Sequence, residues 1–386
     1  MKEFRLEELF DLQMGKTPAR NEAAYWDSGD FKWISIGDLS KCSKYITETK
    51  ECISNKAVHD TGISLIPENT VIMSFKLSIG KTAITGEPMY SNEAIMSFRD
   101  RHIADLLPTY IYYLLSNRDW DEGTNNAVMG KTLNKATISK VKVKIHDADK
   151  QREIVTILDK VSSIIEARQQ ELSTLDDLIK ARFVEMFGDY KESVRLSEVA
   201  TVTGGLTKNS KRESLPLKLP YLRVANVSYD NIDTTEMLEI GLTQEERDKT
   251  LLKYGDLLFV EGNGSPDQIG RVAVWRDEIT PCVHQNHLIK ARFNTADMLP
   301  VFAMHYYMTD KGRRQIQSKA VSTSGLYTLS VQKVADFLLP EPPISQQTQF
   351  AAFVAQIDKS KFVIQKSLME MQTLFDSLMR DFFEER

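Results

Sequence analysis

This sequence has little cysteine, no long apolar run and no strong excess of either charge, and each shortage excludes something. The three cysteines, Cys42, Cys52 and Cys282, cannot build a disulfide framework and read as reduced thiols in a cytoplasmic protein. No apolar run reaches the about 18 residues a membrane helix needs, and the opening MKEFRLEELF has no apolar signal core. Export and membrane spanning are therefore not expected. The formal net charge is −5. Residues 1–145 carry 19 basic and 19 acidic side chains, and 191–345 also carry 19 and 19. The acidic excess sits in 146–190 (6 basic, 10 acidic) and 346–386 (5 and 6). Net charge thus gives no support to nucleic-acid binding, which would have to rest on local patches.

Signatures of catalysis are also missing. GKT occurs at 15–17, 80–82 and 130–132, but a phosphate-binding loop needs a glycine five residues before the Gly-Lys pair. Those positions hold Phe10, Phe75 and Asn125. No HExxH or paired Cys-x-x-Cys occurs, so no metal site is signalled. His284 and His287 in CVHQNHLIK read as polar or core residues rather than ligands. There is no methyltransferase Asn/Asp-Pro-Pro-aromatic motif and no nuclease carboxylate–lysine cluster. EGNGSP (261–266) lacks the strand–helix setting of a dinucleotide fold. The chain is expected to catalyse nothing itself.

Glycine and proline are absent from residues 151–187. Apolar residues recur there at alternating spacings of four and three: Ile154, Leu158, Val161, Ile165, Leu172, Leu175, Ile179 and Met186, with Arg168 and Arg182 interrupting. This broken heptad seam predicts a coiled-coil helix, stopped by Gly188. At about 1.5 Å per residue it would be roughly 55 Å long and would need a partner to cover its stripe. The sequence supplies one. TLDDLIKARFVE (174–185) returns as TLFDSLMRDFFE (373–384), an offset of 199. The second helix, about 348–384, carries Phe353, Ile357, Ile364, Met371, Leu374 and Leu378, widened by Leu368, Phe375 and Phe382. LPEPPIS (339–345) precedes it, with prolines that fit outside a helix but not within one.

The segments before the two helices also match, in the same order. FRLEELFDLQMGKT (4–17) resembles VRLSEVATVTGGLT (194–207), and WISIGDLS (33–40) resembles YLRVANVS (221–228). IGKTAI (79–84) resembles IGRVAV (269–274), and SNEAI (91–95) matches QNHLI (285–289). The chain is thus one unit made twice, and drifting offsets place the divergence in loops. The expected fold is α+β: two similar mixed α/β domains, 1–147 and 190–345, and two long helices, 148–189 and 346–386, paired as an antiparallel coiled coil. Like units packed through like surfaces favour a two-fold axis. The expected pairing residues are Leu158, Val161, Ile165, Leu172, Leu175 and Ile179 against Ile357, Ile364, Met371, Leu374 and Leu378.

If the mixed domains bind DNA, they need cations for phosphates and polar side chains for base edges. FVEGNGSPDQIGR (259–271) offers Glu261, Asn263, Ser265, Gln268 and Arg271 on a glycine-rich loop. The matching SFKLSIGK (74–81) offers Lys76, Ser78 and Lys81. Further cations are Lys131, Lys208, Lys211, Arg212, Arg313 and Arg314. Solvated hairpin tips and charge runs are the plainer alternative at each position.

With these residues in view, the whole chain resembles the DNA-specificity subunit of type I restriction-modification enzymes. The resemblance rests on the two-copy layout, on LPEPPISQQTQF and QREIVTILDK at the helix starts, and on GDLLFVEGNGSPDQIGRVAVW (255–275). One departure is VKIHDADKQREI (143–154), where a proline-rich link would be expected. The resemblance implies two target recognition domains, each reading half of a split, asymmetric site in double-stranded DNA, with the helices as a ruler. It implies two methyltransferase subunits as partners, carrying S-adenosylmethionine, and motor-nuclease subunits using ATP and Mg2+. The rival reading is a scaffold with two protein-binding domains and no role on DNA.

Overall fold

The computed structural model describes residues 1–26, 29–76, 78–120, 125–127, 130–323 and 325–383, without the side chains of 125–127, 130–132 and 323. The chain divides into two compact units. One comprises Met1–Gln169 with Lys366–Arg386, and the other Gln170–Gln365.

In the first unit the main sheet has five strands, in the order Phe10–Met14, Ile95–Asp100, Val71–Ser74, Thr82–Thr85 and Tyr45–Ile46. The first four are antiparallel, and Tyr45–Ile46 joins in parallel. A smaller sheet sets Phe31–Ile34 between Glu51–Ile53 and Tyr90–Ser91. Lys2–Arg5 pairs with Lys142–Ile145, tying the start of the chain to the strand before the first long helix.

The second unit repeats this plan. Its main sheet runs Ala200–Thr203, Leu288–Phe293, Leu257–Val260, Val272–Val274, all antiparallel. Its smaller sheet sets Leu217–Leu222 between Leu238–Leu242 and Val283–His284. Glu192–Arg195 pairs with Leu338–Pro340. The central strands Val71–Ser74 and Leu257–Val260 are buried at every position, as continuous apolar runs covered on both faces require.

The long helices are Ala148–Phe187 and Ile344–Phe383. Within the first unit, the start of one meets the end of the other: Ile154, Leu158 and Met379 share a core, with Phe375, Leu378 and Phe382 packed against it. Within the second unit, Ile179, Phe183 and Phe187 share a core with Phe350, Val354 and Ile357. Phe183 and Phe187 lie 5.2 and 5.6 Å from Phe350, centroid to centroid. Both contacts join opposite ends of the two helices, which is antiparallel pairing.

The seam differs in detail from the sequence reading. Val161, Ile165, Ile364, Leu158, Ile179 and Ile357 are buried. Leu172, Leu175, Met371 and Leu378 are partly buried. Leu374, expected to pair, is 42% exposed, while Met379 is 4% exposed. The cause is the repeat offset. The helices begin at 148 and 344, so residues correspond at 344 − 148 = 196, not 199. A three-residue error is close to one helical turn, so apolar positions coincide at both offsets and the sequence match is ambiguous.

The two helix starts show why VKIHDADKQREI needs no proline. Asp147 caps the first helix: its Oδ1 accepts from Lys150 N at 3.0 Å and its carbonyl from Gln151 N at 2.9 Å. The donated hydrogen bond from Lys150 N holds the Asp147 carboxyl below its ordinary pKa. In the second copy Pro343 occupies this place, and its carbonyl accepts from Gln346 N and Gln347 N. A capping carboxylate and a fixed φ are two solutions to the same helix entry.

Candidate nucleic-acid interface

The loop after Leu257–Val260 is built around Glu261. Its N–H donates to the His287 carbonyl at 2.9 Å, and its carbonyl accepts from Leu329 N at 2.8 Å. Its carboxylate Oε2 meets His287 Nδ1 at 2.8 Å. Three chain segments therefore converge on one residue. Gly262–Asn263 then forms a short strand paired with Leu326–Thr328, which pairs with Val321–Thr323. Asn263 Oδ1 accepts from Ser265 N at 2.9 Å, and Ser265 Oγ from Asp267 N at 3.3 Å. These local turns compete with extended backbone and curl the loop. Gln268 is exposed and Ser265 is partly buried. The structure thus brings Glu261, Asn263, Ser265 and Gln268 into one loop.

Arg271, at the loop's far root, donates to the Val224 carbonyl at 3.3 Å. Arg313 lies beneath, on the helix Asp310–Lys319, and donates to the carbonyls of Asp267, Ile269 and Gly270. Arg314, its neighbour, is exposed. Lys208 and Lys211 are exposed in the separate 207–214 segment. Arg212 is spent on structure: it forks onto Glu246 at 3.0 and 2.7 Å and reaches the carbonyls of Thr207 and Gly241. Its hydrogen bonds, with those at the Thr243 cap, pull the Glu246 carboxyl down to about 2. Arg212 and Arg313 carry positive charge as the sequence suggests, but their donors point at protein acceptors.

In the first unit Phe75 takes the place of Glu261, its carbonyl accepting from Leu133 N at 3.1 Å. The loop that follows is four residues shorter, 76–81 against 262–271. Ser74 closes it: its N–H donates to the Lys81 carbonyl, its carbonyl accepts from Gly80 N, and its hydroxyl donates to the Ser78 carbonyl. Ser78 thus takes part through its backbone. Lys81 is exposed, and Lys76 Nζ sits 5.5 Å from the Phe75 ring centroid. Lys131 falls in the strand Gly130–Thr132, and its side chain lies outside the described residues. One loop therefore presents lysines, the other amide, hydroxyl and carboxylate groups.

Sequence reasoning missed the Glu261–His287 contact and the paired strands Val321–Thr323 and Leu326–Thr328 that flank the loop. The paired strands had a signal: VSTSGLYT is two β-prone runs around Ser-Gly. His284 is a core residue. It is fully buried, its Nδ1 pairs with the Thr250 carbonyl at 2.9 Å, and burial pushes its pKa down to about 3. Burial pushes the Cys282 thiol up to about 12, which makes it inert. Among the described residues, no group of three or more His, Cys, Asp or Glu side chains could hold a metal ion. No helix there is long and apolar enough to cross a membrane.

Comparison with known proteins places these elements in context. The family model described as the type I restriction modification DNA specificity domain matches twice, over residues 1–176 and 189–370. The MjaIX specificity subunit of Methanocaldococcus jannaschii is 22% identical over 409 residues, covering 97% of this chain and 90% of that protein. The EcoR124I/EcoR124II specificity subunit of Escherichia coli is 24% identical over 185 residues, 43% of this chain and 44% of that one. Among solved structures, the S subunit of a type I restriction-modification system from M. genitalium superposes with a TM-score of 0.54 at 11% identity, covering 100% of this chain and 96% of that one. A chain from a study of type I system assembly and conformational transition gives 0.56 at 14%, covering 98% and 96%. At such identities these structures establish a shared fold.

Proposed function

The chain belongs to the type I restriction-modification DNA specificity family, and on that premise we propose that its two units each read one half of a split, asymmetric site in double-stranded DNA. It is a specificity subunit, and catalysis lies in other subunits of such enzymes. The observation that carries the reading is the duplication with divergent loops. The same antiparallel core of four strands and the same exit from its central strand occur twice, and the loop chemistry differs. Lys76 and Lys81 suit phosphates and guanine edges, whereas Glu261, Asn263 and Gln268 suit adenine and cytosine edges. Two different loops on equivalent scaffolds read an asymmetric target.

The paired helices serve as the ruler between half-sites and as the docking surface for two methyltransferase subunits. Those subunits supply S-adenosylmethionine, and motor-nuclease subunits supply ATP and Mg2+ chemistry. A chain that meets DNA only alongside such partners has no need of net positive charge. The test is co-expression with a methyltransferase subunit, with adenine methylation mapped on a plasmid library. Shortening both helices by one matched heptad is expected to change the gap between half-sites and leave the half-sites themselves unchanged. A gap that does not respond excludes the ruler.

A further inference from the structure

We propose that Arg313 is a positioning residue for the loop 262–270, setting the base preference of the second half-site through the loop's backbone without touching DNA. The proposal rests on the reading that this loop contacts DNA.

Residues 264–271 leave the strand ladder; the carbonyls of Ser265 and Arg271 accept backbone amides, and those of Pro266, Asp267, Ile269 and Gly270 take side-chain donors instead. The helix Asp310–Lys319 provides them. Arg313 Nη2 reaches the Ile269 carbonyl at 2.7 Å and the Asp267 carbonyl at 3.3 Å, and Nη1 reaches the Gly270 carbonyl at 3.3 Å. Gln317 Nε2 donates to the Pro266 carbonyl at 3.2 Å and to Asp267 Oδ1 at 3.4 Å. Tyr229 completes the support: its hydroxyl donates to the Asp267 carbonyl at 2.7 Å, and the Arg313 guanidinium carbon lies 5.2 Å from its ring centroid. The loop and helix also touch directly. Gly270 has φ +64°, and a Cβ there would sit 2.5 Å from Ile316 Cγ2.

The first unit shows what this support replaces. Gly80, with φ +83°, corresponds to Gly270, and a Cβ on it would meet Trp120 Cδ1 at 3.0 Å. Trp120 is itself fixed by its indole N–H on the Leu115 carbonyl. A short loop closed by Ser74 rests on one aromatic ring. The longer loop turns more carbonyls away from the sheet and needs a polar template. Arg313 suits that task because a planar fork serves several acceptors at fixed geometry, which a lysine ammonium does not. Both of its Nη groups are turned inward onto loop carbonyls, which leaves little of the fork for phosphate.

The two roles separate experimentally. The full chain, co-expressed with its methyltransferase subunit, is compared with the Arg313→Ala and Arg313→Lys variants. Methylated sites are mapped on a plasmid library, and the salt dependence of binding to the wild-type target duplex is measured. Arg313→Ala is expected to flatten base preference at one half-site by on the order of tenfold, the net worth of a charge-assisted hydrogen bond. The other half-site and the salt slope stay unchanged. Arg313→Lys is expected to remain relaxed, since it keeps the charge and loses the fork. Should Arg313→Ala not assemble, Gln317→Ala is expected to give a smaller flattening at the same half-site. Intact base preference with a slope shallower by about 0.9 would make Arg313 a phosphate contact and overturn the proposal, as would full recovery by lysine or unchanged preference in Gln317→Ala. A wild-type complex with no defined target would fail the functional reading and this proposal with it, whereas a defined target that Arg313→Ala leaves unchanged fails this proposal alone.

Discussion

Gln151 and Gln347 make the same three hydrogen bonds in their two units. Each is fully buried near the start of a long helix. Gln151 Oε1 accepts from Leu107 N at 3.0 Å, and its Nε2 donates to the carbonyls of Asp105 and His146. Gln347 Oε1 accepts from Leu299 N at 2.9 Å, and its Nε2 donates to the carbonyls of Asp297 and Pro342. In both cases the donor amide, of Leu107 or Leu299, belongs to the N-cap of a helix with proline in its first turn, Pro108–Ser116 or Pro300–Met308. The side chain therefore bolts the long helix to the domain that precedes it. Gln151→Ala or Gln347→Ala takes the partner from one backbone N–H and two backbone carbonyls, most of them part-buried. Each is expected to lower stability by about 2–4 kcal/mol, read as the urea midpoint of the unit concerned. A loss below about 0.5 kcal/mol at either site would remove the bolt, since that is what unremarkable surface positions give.

The offset of 196 makes a sharp distinction between two neighbours. Phe187 lies 4.9 Å from Phe302, and Phe383 lies 5.4 Å from Tyr110; these are equivalent pairs, with Phe302 and Tyr110 each in the first turn of its helix. On this register Met379 faces the core and Leu374 faces out. Met379→Asp should cost more than about 3 kcal/mol by burying an unpaired charge. Leu374→Asp should cost under about 1 kcal/mol. Thermal unfolding of the two variants separates the registers, and equal losses would restore the offset of 199.

Acid should weaken the second unit through two histidines. Burial lowers His305 to about 4 and His284 to about 3, both from an ordinary 6.5. The unfolded chain therefore binds more protons as pH falls below 6.5. Their neutral-state stability is complete above pH 6.5 and is lost as pH falls toward 4. Between pH 6.5 and 5 the loss is about 2 kcal/mol per histidine. His305→Phe should halve the slope of the urea midpoint against pH in that window. A slope unchanged by the substitution would show that His305 is not proton-linked.

The basic 207–214 segment contains two kinds of cation. Lys208 and Lys211 are free to meet phosphates, and replacing both by Ala should make the salt slope of DNA binding shallower by up to about 1.8. Arg212→Ala should leave that slope alone and instead destabilise the fold, because it strands Glu246. If Arg212→Ala changes the slope as a lysine does, its ion pair opens on DNA.

Much of the architecture was legible because it is periodic. Heptad spacing marked both helices, and matched strand segments marked the duplication. What was hidden depends on where single polar side chains point. Glutamine reads as a surface residue, so the buried Gln151 and Gln347 carried no signal. Arginines read as candidate phosphate contacts, yet Arg212 and Arg313 face carbonyls and a carboxylate that only folding brings near. The Leu374 misassignment has a different origin: a repeat matched on apolar residues tolerates a slip of nearly one turn, and only the hydrogen bonds at the helix starts and the aromatic contacts at their ends fix the register.

The most direct measurement maps adenine methylation by the complex of this chain with a methyltransferase subunit, for the wild type and for Asn263→Ala/Gln268→Ala. The account predicts one split target with a fixed gap, in which the variant alters one half and leaves the other half and the gap intact. A contiguous target, or a variant that changes both halves together, would contradict it.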